Sequence, residues 1–283
     1  MTVDPQEISQ SVVKRLRSES KNLRTTFGPS EPGGRVRCCW VDDLLPEELL
    51  VAAFHEMPLL TSMVRRQNLK ERKYVTAQLN QLGKSIVSLV TAFNNQDVAD
   101  AIAGIMGKPR LEIDSRLYNG GITAMVPGDF MCPHLDNSHD HDRVRRREVV
   151  LLYYFSPHWR SGYGGDLELW DNDGTASPRA VEYKRNRLVV METTDHSWHS
   201  IRPIVGPMPR VNVTSYYYAP RSEQSPLRLT RFASWPEQKM RGMLFRGEFH
   251  MRSLAVQALG GRRLRPNLHA YSAPLQSGSP HPD

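Results

Sequence analysis

An all-β core flanked by helices, an α+β arrangement, is the fold class the sequence predicts, on three observations. About eight short runs rich in β-formers follow one another between Leu111 and Tyr218, punctuated by Gly, Pro, Asn and Asp. No helical pattern intervenes between them, which favours a sandwich or barrel over a parallel α/β sheet. Before residue 111 and again after Pro220, apolar residues instead recur every three or four positions, as on amphipathic helices.

Taken in order, Asp4, Pro5 and Glu7 read as N-cap, first-turn proline and capping-box acid, with Ile8, Val12 and Leu16 at helical spacing behind them. An amphipathic helix therefore opens the chain. Thr25 to Gly34 is rich in Gly, Pro and Ser and reads as a loop, and Arg35 to Val41 as a short strand. Asp43-Leu-Leu-Pro-Glu-Glu-Leu-Leu starts a second helix, with Pro46 tolerated in its first turn. Two more helices are predicted over Leu79 to Phe93 and Asp97 to Met106.

The predicted strands are Leu111 to Tyr118, Gly121 to Val126, Val149 to Phe155, Asp166 to Trp170, Ala180 to Tyr183, Leu188 to Glu192, Ser197 to Pro203 and Arg210 to Tyr218. Beyond Pro220 the chain turns polar, then helical near Glu237 to Leu254, and Ser272 to Asp283 reads as a loose tail. The organisation expected is one domain over 1–283. Residues 1–110 form a mainly helical support, 111–220 a jelly-roll core and 221–271 a helical extension, ahead of the tail at 272–283.

Composition narrows the function classes. With 39% hydrophobic and 24% charged residues the chain reads as an ordinary soluble globular protein rather than a disordered one. No apolar run is long enough to cross a bilayer, and Met-Thr-Val-Asp-Pro-Gln-Glu lacks the pattern of a secretory signal. Three cysteines, Cys38, Cys39 and Cys132, make no disulfide framework, so a reducing compartment, the cytoplasm, is expected. The net charge of +7 invites a nucleic-acid reading, but the excess is scattered and lacks the aromatic interleaving of a single-strand groove. The cluster Arg143, Arg145, Arg146 and Arg147 is the exception, placed to meet an anionic substrate or partner.

The chemistry centres on Gly128 to Asp136, Gly-Asp-Phe-Met-Cys-Pro-His-Leu-Asp, and on His199 in Asp-His-Ser-Trp-His-Ser. On a strand, His134 and Asp136 leave the same face. A second imidazole from a later strand would complete a facial set of two histidines and one carboxylate, which suits Fe(II) and dioxygen. Among ten histidines and thirty acidic residues a lone His-x-Asp is more often a pair of surface groups, so its surroundings decide. A jelly-roll brings the two strands together, and Arg210, heading the last strand, then has the position and the fork geometry to hold a carboxylate. Plainer roles are expected elsewhere. Cys132 reads as packing, His139 and His141 as solvated loop residues, Gly164 and Gly165 as a turn, Trp170 and Trp198 as core or pocket walls. Of Tyr216 to Tyr218 at least one should be buried.

These elements carry a resemblance. Gly128 to Pro220 resembles the prolyl-4-hydroxylase-like branch of the 2-oxoglutarate and Fe(II)-dependent oxygenases. The shared order is His-x-Asp, a strand ending Tyr154-Phe-Ser, Gly164-Gly165-Asp-Leu-Glu-Leu-Trp, Arg187-Leu-Val-Val-Met, Trp198-His199 and Arg210. Upstream, Trp40-Val-Asp-Asp-Leu-Leu-Pro-Glu-Glu is similar to the family's lead-in. The resemblance implies a double-stranded β-helix (jelly-roll, cupin-like) in which His134, Asp136 and His199 bind iron and Arg210 binds 2-oxoglutarate. Dioxygen is then the oxidant, ascorbate a reductant, and succinate and carbon dioxide the co-products.

Two departures stand out. Where the family often has a tyrosine nine residues before the first ligand, this chain has Met125, so Tyr118 or Tyr153 is expected to supply the polar contact to the cosubstrate. The interval from His199 to Arg210 is also slightly longer than usual. Arg210-Val-Asn212-Val-Thr214 is similar to a segment of the nucleic-acid demethylases of the superfamily, although Tyr216 replaces their second arginine. Asn212 and Thr214 are expected in the cosubstrate pocket if they face inward. Retention of Asp136 favours hydroxylation, or a desaturating or ketone-forming variant of it, over halogenation.

The substrate expected is a small polar or amino-acid-like molecule, as in natural-product biosynthesis. A protein-residue hydroxylase, with an open groove beside His134, and a nucleic-acid demethylase are the rivals. From a different class comes a cupin-like binding protein without turnover. No membrane partner is expected, and a homodimer is compatible with the sequence.

Overall fold

The computed structural model describes residues 4–29, 34–171, 178–220 and 228–258; the expected tail at 272–283 lies outside them. Helix α1, Pro5–Ser18, starts where the Asp4 carboxylate accepts the backbone N–H of Gln6 at 2.9 Å. A second helix, α2, Ser20–Phe27, occupies the start of the stretch expected to be a loop. Leu23 and Phe27 are buried and extend the apolar face of α1, which outweighs the Thr-Thr pair between them. After β1, Cys38–Val41, helix α3, Glu47–His55, begins with Pro46 as its N-cap. Helices α4, Lys84–Phe93, and α5, Gln96–Met106, follow, α5 capped by Asn95 and closed by Gly107 at φ 71°. Helix α1 packs on both, forming the expected helical support.

That support is not purely helical. Strands β2, Val64–Gln67, and β3, Arg72–Thr76, form an antiparallel hairpin inside 1–110. Its Arg and Lys content masks the apolar alternation by which a strand is recognised, as is usual for a sheet edge. Leu111 to Tyr118, in turn, is not a strand. It is held by one bridge from Glu112 to Tyr218 and bent by Asp114, whose carboxylate accepts the N–H groups of Arg116 and Tyr118.

The remaining strands are β4, Gly121–Met125; β5, Met131–Leu135; β6, Arg147–Tyr154; β7, Leu167–Trp170; β8, Arg179–Val181; β9, Arg187–Glu192; β10, Trp198–Ile201; β11, Arg210–Tyr218; and β12, Arg231–Phe232. Helix α6 runs Lys239–Ala258, close to the span predicted for it. Among the described residues the strands make two antiparallel sheets, ordered β1-β9-β6-β11-β4-β3-β2 and β12-β5-β10-β7-β8. This is the double-stranded β-helix with flanking helices.

Strand alternation divides the interior. On β6 and β11, Val149, Leu151, Tyr153, Val211, Val213 and Tyr217 join the core beneath the helices. The intervening residues of β11 point into the space between the sheets. Trp170 and Trp198 go to a third place, a cluster with Phe130, Trp235 and Phe245 of α6, so they are core rather than pocket walls. All of Tyr216, Tyr217 and Tyr218 are buried.

Candidate metal centre

Strands β5 and β10 are antiparallel neighbours, and their register sets His134 directly opposite His199, ring centroids 4.1 Å apart. Each ring is oriented by its own strand. His134 Nδ1 lies 2.9 Å from the Cys132 carbonyl, and His199 Nδ1 3.0 Å from the Ser197 carbonyl. A carbonyl only accepts, so Nδ1 carries the proton in both rings and Nε2 keeps its lone pair for a ligand. Asp136 follows the end of β5, its Oδ1 3.8 Å from His134 Nε2. One ligating atom from each of the three side chains lies within 4.8 Å of the others.

Electrostatics fix the protonation states that coordination needs. Burial, and then the proximity of His199, depress the His134 pKa to about 3, so its imidazole is neutral. Burial works to protonate Asp136, but Arg147, with His199 and His134, outweighs it and holds the carboxyl below its usual range. Arg147 Nη1 stands 3.7 Å from Asp136 Oδ2. Two imidazoles and one carboxylate make the open facial donor set that fits Fe(II). Phe232 of β12 stacks on the His134 ring at 5.2 Å, covering one side.

The three residues line a cavity of about 660 Å³ between the sheets, together with Arg210, Asn212, Thr214 and Tyr216. Arg210 is 1% exposed. Its Nε donates to the Gly165 carbonyl at 2.7 Å and its Nη1 to Asn212 Oδ1 at 2.8 Å, while the rings of Tyr154 and Tyr183 lie 4.8 Å from the guanidinium carbon. Nη2 is buried without a hydrogen-bond partner among the described residues. Asn212 passes its own N–H to Thr214 Oγ1 at 2.8 Å. Gly165, at φ 71°, is more than a turn residue: a Cβ there would stand 2.9 Å from Arg210 Cδ.

The two tyrosines expected beside the cosubstrate part company. Tyr118 lines the cavity, its ring stacked on His139 at 5.9 Å. Tyr153 faces the helices, packs on Phe93 at 4.7 Å and donates to Asn186 Oδ1 at 2.7 Å. It sits opposite Val213, on the wrong face of β6 for the cavity. Met125 is buried with Ile201 and Ile204. His139 is 2% exposed rather than solvated, its Nδ1 2.8 Å from the Asp140 carbonyl. The arginine cluster is largely turned inward. Arg145 pairs with Asp140 at 2.8 Å, Arg146 faces Glu148 at 3.8 Å, and Arg147 lies over the Tyr216 ring at 3.5 Å; Arg143 lines the cavity.

Arg147 stands beside Asp136, and the hairpin residues Arg66, Glu71 and Lys73 line the cavity, placements that the sequence reading does not make. The inward alternation of β11, extended to Tyr216, was a signal for the first; the unrecognised hairpin hid the others. Burial pushes the Cys132 thiol up to about 12, as befits a packing residue.

Comparison with known proteins agrees with this geometry. Residues 120–218 match the family model of the 2OG-Fe(II) oxygenase superfamily. The mouse prolyl 3-hydroxylase OGFOD1 is 26% identical over 188 residues, 64% of this chain and 31% of that protein; the match thus spans under a third of the curated relative. A prolyl-4-hydroxylase from Pseudomonas putida superposes with a TM-score of 0.50 at 19% identity, over 72% of this chain and 99% of that one, a likeness of fold. HygX from Streptomyces hygroscopicus, solved with nickel, 2-oxoglutarate and hygromycin B, gives 0.46 at 13% identity, over 71% and 86%.

Proposed function

We propose, on the match of residues 120–218 to the family model of the 2OG-Fe(II) oxygenase superfamily, that the chain is a 2-oxoglutarate-dependent dioxygenase that hydroxylates an unactivated C–H bond of a small polar molecule. His134, Asp136 and His199 would hold the iron, and Arg210 the distal carboxylate of 2-oxoglutarate. The observation that carries this is the unpartnered Nη2 of a fully buried Arg210 in the same cavity as the donor set. A buried guanidinium N–H without an acceptor costs about 1–3 kcal/mol, which a carboxylate oxygen would return. When bound, iron and 2-oxoglutarate supply the oxidising chemistry, dioxygen giving one oxygen atom to succinate and one to the product.

The chain's own residues do the rest. Gly165, Asn212 and the two tyrosine rings hold the Arg210 guanidinium before the cosubstrate arrives, so little side-chain freedom is lost on binding. Arg147 keeps Asp136 ionised. Phe232 and the apolar residues Val150, Leu152 and Leu167 exclude water from the reacting centre. Tyr118, the cavity-facing tyrosine, stands where a polar contact to the cosubstrate is needed, and Asn212 and Thr214 continue that polar row.

A cavity of about 660 Å³ falls in the range that holds a small molecule. Oxidation of a residue within a peptide is the second reading. Strand β2 forms the edge of the larger sheet and its Arg66 lines the cavity, so an extended chain has an edge to pair with. The demethylase reading loses support because Tyr216, in place of an arginine, packs on Arg147. Succinate formation with Fe(II), 2-oxoglutarate and pools of free amino acids and of short peptides separates the readings. One pool should stimulate turnover, and Asp136→Ala should abolish it. Full activity in that variant would overturn the assignment, and no succinate with any pool would favour a binding protein.

A further inference from the structure

We propose that the prime substrate carries a carboxylate or other anionic group, bound by Arg66 and Lys73 of the β2–β3 hairpin; this rests on the oxygenase reading and deepens it. The hairpin register places Arg66 and Lys73 directly across from each other, so both side chains leave one face, and that face lines the cavity. The hairpin is also tied to the metal-bearing sheet. The Arg72 N–H donates to the Phe130 carbonyl at 2.8 Å, the Cys132 N–H to the Lys70 carbonyl at 2.8 Å, and Glu71 bridges to Met131. The pair is thereby fixed relative to β5, which bears His134.

Charge accounting points the same way. Among the described residues the lining holds five cationic side chains, Arg66, Lys70, Lys73, Arg143 and Arg210, against two anionic ones, Glu71 and Asp136, a net of three positive charges. A ferrous ion and a 2-oxoglutarate dianion cancel each other, so the loaded pocket keeps that excess. Glu71 is 6% exposed, 3.3 Å from Arg66 and 3.0 Å from Lys73. One buried carboxylate between the two cations orients both. Burial opposes its ionisation, but Lys73 and Arg66 bring its pKa down to about 2, so it stays charged. Lys70 is met by Glu248 of α6 at 2.7 Å, a half-exposed carboxylate that water screens. A cleft walled by one sign of charge concentrates ligands of the other.

The test is a calorimetric titration of the full chain loaded with Mn(II) in place of iron and saturated with 2-oxoglutarate. The probes are N-acetylaspartate, a dianion, and N-acetylasparagine amide, its neutral counterpart. The dianion should bind at least roughly fivefold more tightly, and the preference should weaken as salt is raised. In Arg66→Gln, where Lys73 still covers Glu71, the ratio of N-acetylaspartate to 2-oxoglutarate affinity should fall by roughly fivefold. Arg143→Gln, on a loop outside the hairpin, should lower the same ratio if the excess charge acts as a whole.

Equal binding of the two probes, or binding of neither, would overturn the inference. So would an unchanged ratio in Arg66→Gln, whatever Arg143→Gln does. Failure of 2-oxoglutarate itself to bind the Mn(II)-loaded chain would instead sink the oxygenase reading, so the two failures are told apart.

Discussion

The two faces of β11 share one backbone and differ in almost everything else. Val211, Val213 and Tyr217 pack beneath the helices as ordinary core, and the Tyr217 hydroxyl is satisfied by the Phe93 carbonyl. Arg210, Asn212, Thr214 and Tyr216 face the cavity, equally buried, yet their polar atoms form a chain that ends on an unpartnered Nη2. One face is finished in the folded protein; the other, on the proposed function, is completed by a ligand. Stability and function should therefore separate by the parity of the residue number along this strand.

The largest effect expected is on the unfinished face. Arg210→Met keeps the length of the side chain but removes the charge, and should weaken 2-oxoglutarate binding roughly a hundredfold with little change in Tm. Calorimetry and a melting curve check the two halves. Val213→Ala, three residues on and on the other face, should do the reverse. It should cost about 2 kcal/mol of stability through the cavity it leaves, read by urea denaturation, while 2-oxoglutarate affinity holds.

Arg147→Met probes a residue behind the cavity. Its Nη1 stands 3.7 Å from the Asp136 carboxylate, so iron affinity should drop roughly tenfold while 2-oxoglutarate affinity, measured with metal saturating, stays put. A fall in both alike would mean that Arg147 only supports the strand. Smallest is Tyr153→Phe, which removes one hydrogen bond to Asn186 on the helix side and should cost about 1 kcal/mol without touching turnover. Loss of 2-oxoglutarate binding in that variant would revive Tyr153 as a cosubstrate contact.

How much of this was legible follows from what each residue depends on. The span Arg210 to Tyr218 was readable to the residue because β-branched and aromatic side chains mark a strand buried on both faces. His134 and His199 were readable because the motif order carries their pairing. Tyr118 and Tyr153 could not be told apart, since the difference is a matter of which face of β6 looks at the cavity, and Tyr118 lies on a bent segment where strand parity fails. The β2–β3 hairpin escaped because Val-Arg-Arg-Gln and Arg-Lys-Tyr-Val-Thr show charge where alternation is sought, and the hairpin's basic face went with it. Of the arginine cluster expected to meet an anionic substrate or partner, Arg143 lines the cavity, whereas Arg147 is buried against Tyr216 and Tyr218.

The central assertion is that His134, Asp136 and His199 share one ferrous ion and that Arg210 anchors the co-reactant beside it. Anaerobic titration of Fe(II) and then 2-oxoglutarate into the full chain tests it directly. One iron per chain and one 2-oxoglutarate per iron should bind, with iron lost in His199→Ala and 2-oxoglutarate alone lost in Arg210→Met. Undiminished iron binding by His199→Ala, in a protein that still melts cooperatively, would contradict it.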